Sequence, residues 1–103
     1  MTAACMLVRR DLFDELGGFD EHFATHYQDV DLCLRLGRSG RRILFTPRAV
    51  LRHHESATRG AYYDQLDRAL LLDAWGDTIV RGDPYYSRLL SLSGEDYRPR
   101  VAA

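Results

Sequence analysis

The chain has 103 residues, 46% of them hydrophobic and 11% aromatic, the composition of one globular domain or a piece of one and not of a disordered segment. Its 14 basic and 15 acidic residues leave a net charge of −1, so the chain as a whole carries no electrostatic footprint for nucleic acid. No apolar run approaches the roughly 20 residues that span a bilayer, and the N-terminal charges follow a short apolar run instead of preceding it, the reverse of a secretory signal. Every basic residue is arginine, lysine and asparagine are absent, and isoleucine occurs only twice; GC-rich coding accounts for this without any functional cause. Cys5 and Cys33 lie in apolar surroundings outside any CxxC pair and read as small buried hydrophobes in a reduced compartment. The expected location is cytoplasmic.

Taken in chain order, Ala3 to Val8 is an unbroken apolar run, the pattern of a strand buried on both faces. Such a strand needs neighbours on both edges, so part of the domain is expected to lie before Met1. Asp11 to Leu16 reads as a short helix with Asp11 as N-cap, an apolar stripe of Leu12, Phe13 and Leu16, and Gly17 or Gly18 as its left-handed stop. Phe19 to Tyr27 reads as a loop with aromatic anchors. A second helix is predicted from about Asp29 to Arg38, with Val30, Cys33 and Leu34 sharing a face, Leu36 close by, and Gly40 ending it.

Arg42 to Thr46 is predicted as a strand closed by Pro47, and Ala49 to Arg52 as a second extended piece running into His53-His54. Beyond Gly60, Tyr63, Leu66 and Leu70 recur at helical spacing with Asp64, Asp67 and Arg68 off the stripe, and the helix continues through Trp75 to about Val80. From Arg81 onward Gly, Pro and Ser make a turn-rich tail. Charge is segregated along this order: residues 9–31 carry a net −5, residues 32–60 a net +6 and residues 61–83 a net −3. An acidic segment followed by a basic one suits a cleft in which a carboxylate faces an anionic substrate; ordinary solvated surface is the simpler account.

Two clusters carry candidate chemistry. In Tyr27-Gln-Asp-Val-Asp31, Asp29 falls at or just before a helix N-terminus, where the helix dipole favours its ionised form; N-capping alone would explain it. Asp31, four residues before Arg35, is most simply a helical ion pair. In His53-His-Glu-Ser56 the two histidines point to opposite faces of an extended chain, so only one can aim at a given site. No HExxH motif is present. Ser56, Thr58, Arg59 and Gly60 suit contacts to phosphate oxygens.

The order of these pieces is more specific than any one of them. Gly17-Gly-Phe-Asp-Glu21, then Tyr27-Gln-Asp-Val-Asp-Leu-Cys-Leu-Arg35, Gly40, Ile43-Leu-Phe-Thr-Pro47 and Ala49-Val-Leu-Arg-His-His-Glu-Ser56 closely resemble family 2 glycosyltransferases. More narrowly they are similar to the bacterial branch linked to O-antigen, rhamnan and other surface polysaccharides, as are Asp83-Pro-Tyr-Tyr86 and Leu90-Ser-Leu92. The resemblance covers roughly residues 2 to 97.

It implies an α/β chain: the C-terminal, acceptor-side half of a GT-A, Rossmann-like domain over residues 1–60, followed by a helical and turn-rich tail over 61–103. The nucleotide-binding half, with its DxD metal motif, is expected elsewhere; Asp29-Val-Asp31 reads as D-x-D but aligns with a different element of the family. Carried over, Asp29 is the general base for an inverting transfer from a nucleotide sugar to a glycan or lipid-linked acceptor, preceded here by Gln28 where relatives often have Glu or Asn. Gly18, Phe19, Asp20 and Gln28 correspond to the acceptor side, Gly17 belonging to the same turn. Arg59 and Ser56 correspond to donor-diphosphate contacts, and His53 to a ligand of Mn²⁺ or Mg²⁺ in the complete enzyme. The same resemblance places the protein in the cytoplasm, with peripheral association at the inner face of the membrane, and without its nucleotide-binding half the chain is expected to be inactive. Two other classes fit the residues: a non-catalytic module that pairs with a separate nucleotide-binding half, and a small metal hydrolase built on the histidine and aspartate clusters.

Overall fold

The computed structural model describes residues 3–52, 61–93 and 97–100, with the backbone alone for residues 3 and 61–63. A 3-10 turn, Ala3–Cys5, leads into α1 (Arg10–Glu15); α2 (Gln28–Arg38) and α3 (Ala61–Val80) follow. No strand occurs among the described residues. The described residues therefore do not show the α/β character expected of this stretch, and three segments need correcting. Ala3 to Val8 begins as a 3-10 turn, and Leu7 is fully exposed. Cys5, expected to be buried, is exposed, while Cys33 is half-buried. Residues 41–46 and 49–52 have no regular structure, and Leu44, Phe45, Val50 and Leu51 face solvent. The reason is physical: a helix satisfies its own backbone, but a strand needs a second strand for its N–H and C=O groups.

The helices stand where the sequence places them because their ends are written in local chemistry. At the end of α1, Gly17 and Gly18 both take positive φ. The Gly18 N–H reaches the Phe13 carbonyl at 2.8 Å and the Gly17 N–H the Asp14 carbonyl at 3.1 Å, a Schellman closure. A Cβ on Gly18 would stand 3.2 Å from the Phe13 ring, so the turn needs glycine for space as well as for φ. The same closure ends α2, where the Arg41 N–H bonds Leu36 O and the Gly40 N–H bonds Gly37 O, each at 3.0 Å. Asp11 is not the N-cap of α1. That position is Arg9, whose guanidinium pairs with the Asp11 carboxylate in the first turn.

Phe23, Leu71 and Trp75 form the centre of the core, with Tyr27, Val30 and Leu34 packed against them, and Leu32 and Leu36 are buried on α2. The loop 20–27 and α2 thus lie against α3. On α3 the buried face is Asp67, Leu71 and Trp75, spaced four apart along a helix. The stripe predicted from Leu66 and Leu70 faces outward instead. The radius of gyration, 15.3 Å, exceeds the ~13 Å of a compact domain of this length. A core of so few apolar side chains leaves much of the packing to polar contacts.

Candidate functional site

Those polar contacts are concentrated around the loop that enters α2. Asp67 is 1% exposed, and its carboxylate accepts three backbone N–H groups: Ala24 at 2.8 Å, Thr25 at 2.8 Å and His26 at 2.7 Å. Burial by itself would push this carboxyl up. The three amides, helped by the nearby His26 ring, outweigh burial and hold it below the usual carboxylate range. One side chain of α3 therefore fixes three consecutive peptide groups of the loop.

The next residue, Tyr27, is the N-cap of α2 and sits at φ 67, in the left-handed region. A bulky residue there costs on the order of 1 kcal/mol and persists only where its surroundings impose it. Here its hydroxyl donates to Asp64 Oδ1 at 2.9 Å while its ring packs against the core. The bond to Asp64, reinforced by burial, holds the phenol above its ordinary pKa. Asp64 and Asp67, on one side of α3, thus set the direction from which the chain enters α2.

Asp29 lies in the first turn of α2, one position inside Gln28. It is half-buried, and its Oδ1 accepts the Val30 N–H at 2.9 Å. It is not the N-cap, but a carboxylate in the first turn is stabilised by the unsatisfied amides there. Asp31 is 5% exposed. One oxygen accepts the Arg35 Nε at 2.7 Å, the ion pair expected from the spacing, and the other accepts the Trp75 indole N–H at 2.8 Å. Arg35 then donates to Leu16 O at 2.7 Å and Gly18 O at 2.8 Å. Through Arg35 the turn that closes α1 is tied to α2, and through Asp31 both are tied to α3.

Around these carbonyls opens a cleft of about 450 Å³, lined by residues 16–22 and Arg35. Gly18, Phe19 and Asp20 all line it, with Phe19 edge-on to Phe13 at 5.4 Å. The Asp20 carboxylate accepts the His22 backbone N–H at 3.0 Å and pairs with the His22 ring at 2.7 Å, and both contacts lower its pKa, the backbone bond more. Gln28 and Asp29 do not line this cleft. They stand on the same helix as Arg35, about 9 Å (Asp29) and about 10 Å (Gln28) further toward its N-terminus at 1.5 Å per residue.

His53, Ser56 and Arg59, assigned to the metal and the donor diphosphate, lie outside the described residues. Among the described residues no group of three His, Cys, Asp or Glu side chains comes together to hold a metal ion. The Mn²⁺ or Mg²⁺ implied by the resemblance does not fit these residues by themselves, and no step of the transfer is assigned to it. Nor is any described helix long and apolar enough to cross a membrane.

The sequence reading missed Asp64, Asp67 and Trp75 as the residues that build the site. A signal existed: Asp67, Leu71 and Trp75 are spaced by four, with Asp64 three before, which is one face of a helix. Two aspartates at its head disguised that face as solvated surface.

The chain belongs to glycosyltransferase family 2: residues 1–70 match the family described as "Glycosyltransferase like family 2", a membership that implies a GT-A fold. Over 98 residues, 93% of the chain, it is 42% identical to the O-antigen biosynthesis protein RfbC of Myxococcus xanthus. Over 60 residues, 58% of the chain, it is 40% identical to the N-acetylglucosaminyl-diphospho-decaprenol L-rhamnosyltransferase of Mycobacterium tuberculosis. A match of 43% identity over 42 residues, 41% of the chain, links it to the rhamnosyltransferase WbbL of Escherichia coli. These are the O-antigen and rhamnosyltransferase relatives that the motif series pointed to. The chain spans 8%, 20% and 16% of those three proteins respectively. No solved structure matches it.

Proposed function

We propose that this stretch is the acceptor-side part of an inverting glycosyltransferase, with Asp29 as the general base. The donor is a nucleotide sugar and the acceptor a glycan or lipid-linked glycan. Because relatives of the chain are named rhamnosyltransferases, an activated rhamnose is the donor to assay first. Asp29 takes the proton from the acceptor hydroxyl as that oxygen attacks the anomeric carbon, and the nucleoside diphosphate leaves from the opposite face. The observation that carries the assignment is the placement of Asp29 in the first turn of α2, on a helix entry fixed by Tyr27, Asp64 and Asp67. An ionised carboxylate held by a helix N-terminus suits a base working near neutral pH.

Gly18, Phe19, Asp20 and Gln28 orient the acceptor. Ser56 and Arg59 contact the donor diphosphate, and a Mn²⁺ or Mg²⁺ in the complete enzyme draws His53 from this stretch. The protein works in the cytoplasm, at the inner face of the membrane, and the chain by itself does not turn over.

Asp29→Asn in the complete protein tests the base. General-base loss costs about 10²–10⁴-fold, so kcat should fall by that factor with KM little changed. Transfer at a near-normal rate would refute the assignment. Turnover of any nucleotide sugar by the purified 103-residue chain would refute the dependence on the other half.

A second reading, a non-catalytic module that pairs with a separate nucleotide-binding half, is favoured by one observation: the apolar side chains of residues 44–51 are exposed. Activity restored by mixing the chain with such a half, but retained in Asp29→Asn, would select it. A metal hydrolase finds no support among the described residues.

A further inference from the structure

The tail beyond α3 builds a second cleft, remote in sequence from Asp29. Residues 98–100 fold back antiparallel on residues 89–91, with the Ser91 N–H on Arg98 O at 2.8 Å and the Arg100 N–H on Leu89 O at 2.7 Å. The Tyr86 hydroxyl closes the turn by donating to Ser91 O at 2.8 Å. This fold-back brings Arg100 to the same cleft as Arg88 and as Arg81, which immediately follows α3. The cleft measures about 790 Å³ and is lined in addition by Tyr86, Leu90 and Leu92.

We infer that this cleft binds a phosphate or diphosphate group through Arg81, Arg88 and Arg100. Charge is the first argument. All three guanidinium groups are exposed, and no described carboxylate lies within ion-pair distance of any of them. Asp83 is the one carboxylate among the described lining residues, and its Oδ1 is occupied by the Tyr85 N–H at 2.8 Å. Among these described groups, three cations against one anion leave an excess of +2, the complement of a phosphomonoester or diphosphate near neutral pH. Arginine is also the side chain whose planar fork matches phosphate oxygens two at a time.

α3 ends beside the cleft, and two of its last four carbonyls are engaged within the chain: the Arg81 N–H bonds Asp77 O and the Gly82 N–H bonds Ile79 O. The second argument is the apolar part of the lining. Leu90 and Leu92 beside the arginines suit a ligand that carries carbon next to its phosphate, as a nucleotide and a phospholipid headgroup both do. The inference does not rest on Asp29 or on the transfer reaction.

The test uses the chain and two probes, inorganic pyrophosphate followed by amide chemical shifts, and phosphatidylcholine vesicles with and without phosphatidic acid followed by co-sedimentation. Saturable pyrophosphate binding that shifts residues 81–92 and weakens about tenfold or more in the double variant Arg88→Gln/Arg100→Gln supports a soluble phosphate ligand. Binding confined to phosphatidic acid vesicles, with the same loss in the variant, supports a lipid headgroup. Arg88→Lys should fall between wild type and Arg88→Gln, because the charge stays while the fork is lost. The control Arg41→Gln/Arg48→Gln removes the same charge elsewhere. Binding of neither probe, or equal weakening by the control, overturns the inference. The substituted side chains are exposed, so the far-UV spectrum should stay that of the wild type.

Discussion

Residues 20–36 with α3, and residues 41–52, are two stretches of one chain with opposite fates. The first carries aspartates that end up inside: Asp67 is 1% exposed and Asp31 5%. The second carries apolar side chains that end up outside: Phe45 is 82% exposed and Leu44 73%. Polarity alone would have sorted them the other way. What decides is whether the backbone and side-chain partners lie within the chain. Asp67 finds three amides and Asp31 finds Arg35 and Trp75, so each buried charge is compensated. Residues 42–46 have no second strand to pair with among the described residues, and an unpaired strand cannot bury itself.

The strongest way to break the contrast is to remove the acceptor that three amides share. Asp67→Ala should cost about 3–5 kcal/mol, since it leaves three part-buried amides without their shared acceptor, and urea denaturation reads it directly. Asp67→Asn should cost less, its remaining oxygen still accepting. The pH dependence has a fixed sign. The folded-state pKa of Asp67 lies below its unfolded value. Its contribution is therefore complete above the ordinary carboxylate range, near pH 4, and disappears as pH falls through the folded value. Asp67→Ala should accordingly lose part of the acid-induced destabilisation that the wild type shows as pH falls below about 4.

Trp75→Phe is the next step down. It keeps most of the ring volume but removes the indole N–H that Asp31 accepts at 2.8 Å, and weakens the stacking of Arg38, whose guanidinium carbon stands 4.0 Å from the ring centre. One buried hydrogen bond to a charged group and one cation–π contact amount to about 2–3 kcal/mol. Asp31→Ala combined with Trp75→Phe should cost less than the sum of the two alone, because both remove the same bond. Additive costs in that double-mutant cycle would mean that the bond couples nothing.

What could be read from the sequence follows the same division. Gly17, Gly18 and Gly40 announced their helix stops because Schellman closures depend on residues within a few positions of each other. Those stops, with the polar–apolar period, bounded α2 to within one residue of Gln28–Arg38 and ended α3 at Val80. Asp31–Arg35 was legible for the same reason. Asp67 was not, since its partners lie about forty positions upstream, and no periodicity reports a bond of that span. The inverted face of α3 follows from that: with Asp67 taken as solvated, Leu66 and Leu70 were left as the only inward stripe. In the site, Gly18, Phe19 and Asp20 were legible as one turn through a contiguous motif, and that turn lines the cleft beside Arg35. The role of Tyr27, set by a positive φ and a tether to Asp64, was not. The strands failed for the remaining reason, that a strand is a property of a pair.

The smallest effect expected is also the sharpest test of that last point. Leu44→Ser combined with Phe45→Ser should change the stability of the 103-residue chain by less than about 0.5 kcal/mol, because neither side chain is buried in it. If residues 42–46 become a sheet strand in the complete protein, the same pair of substitutions there removes two apolar side chains from a core, at about 2–5 kcal/mol each. The two measurements have to differ. Equal and small effects in both would mean that these residues stay exposed in the complete protein, and the strand reading would fall with them. Equal and large effects would mean that Leu44 and Phe45 are already buried in the chain alone. A small loss in the chain and a large one in the complete protein would show that residues outside this stretch supply the pairing that the chain lacks.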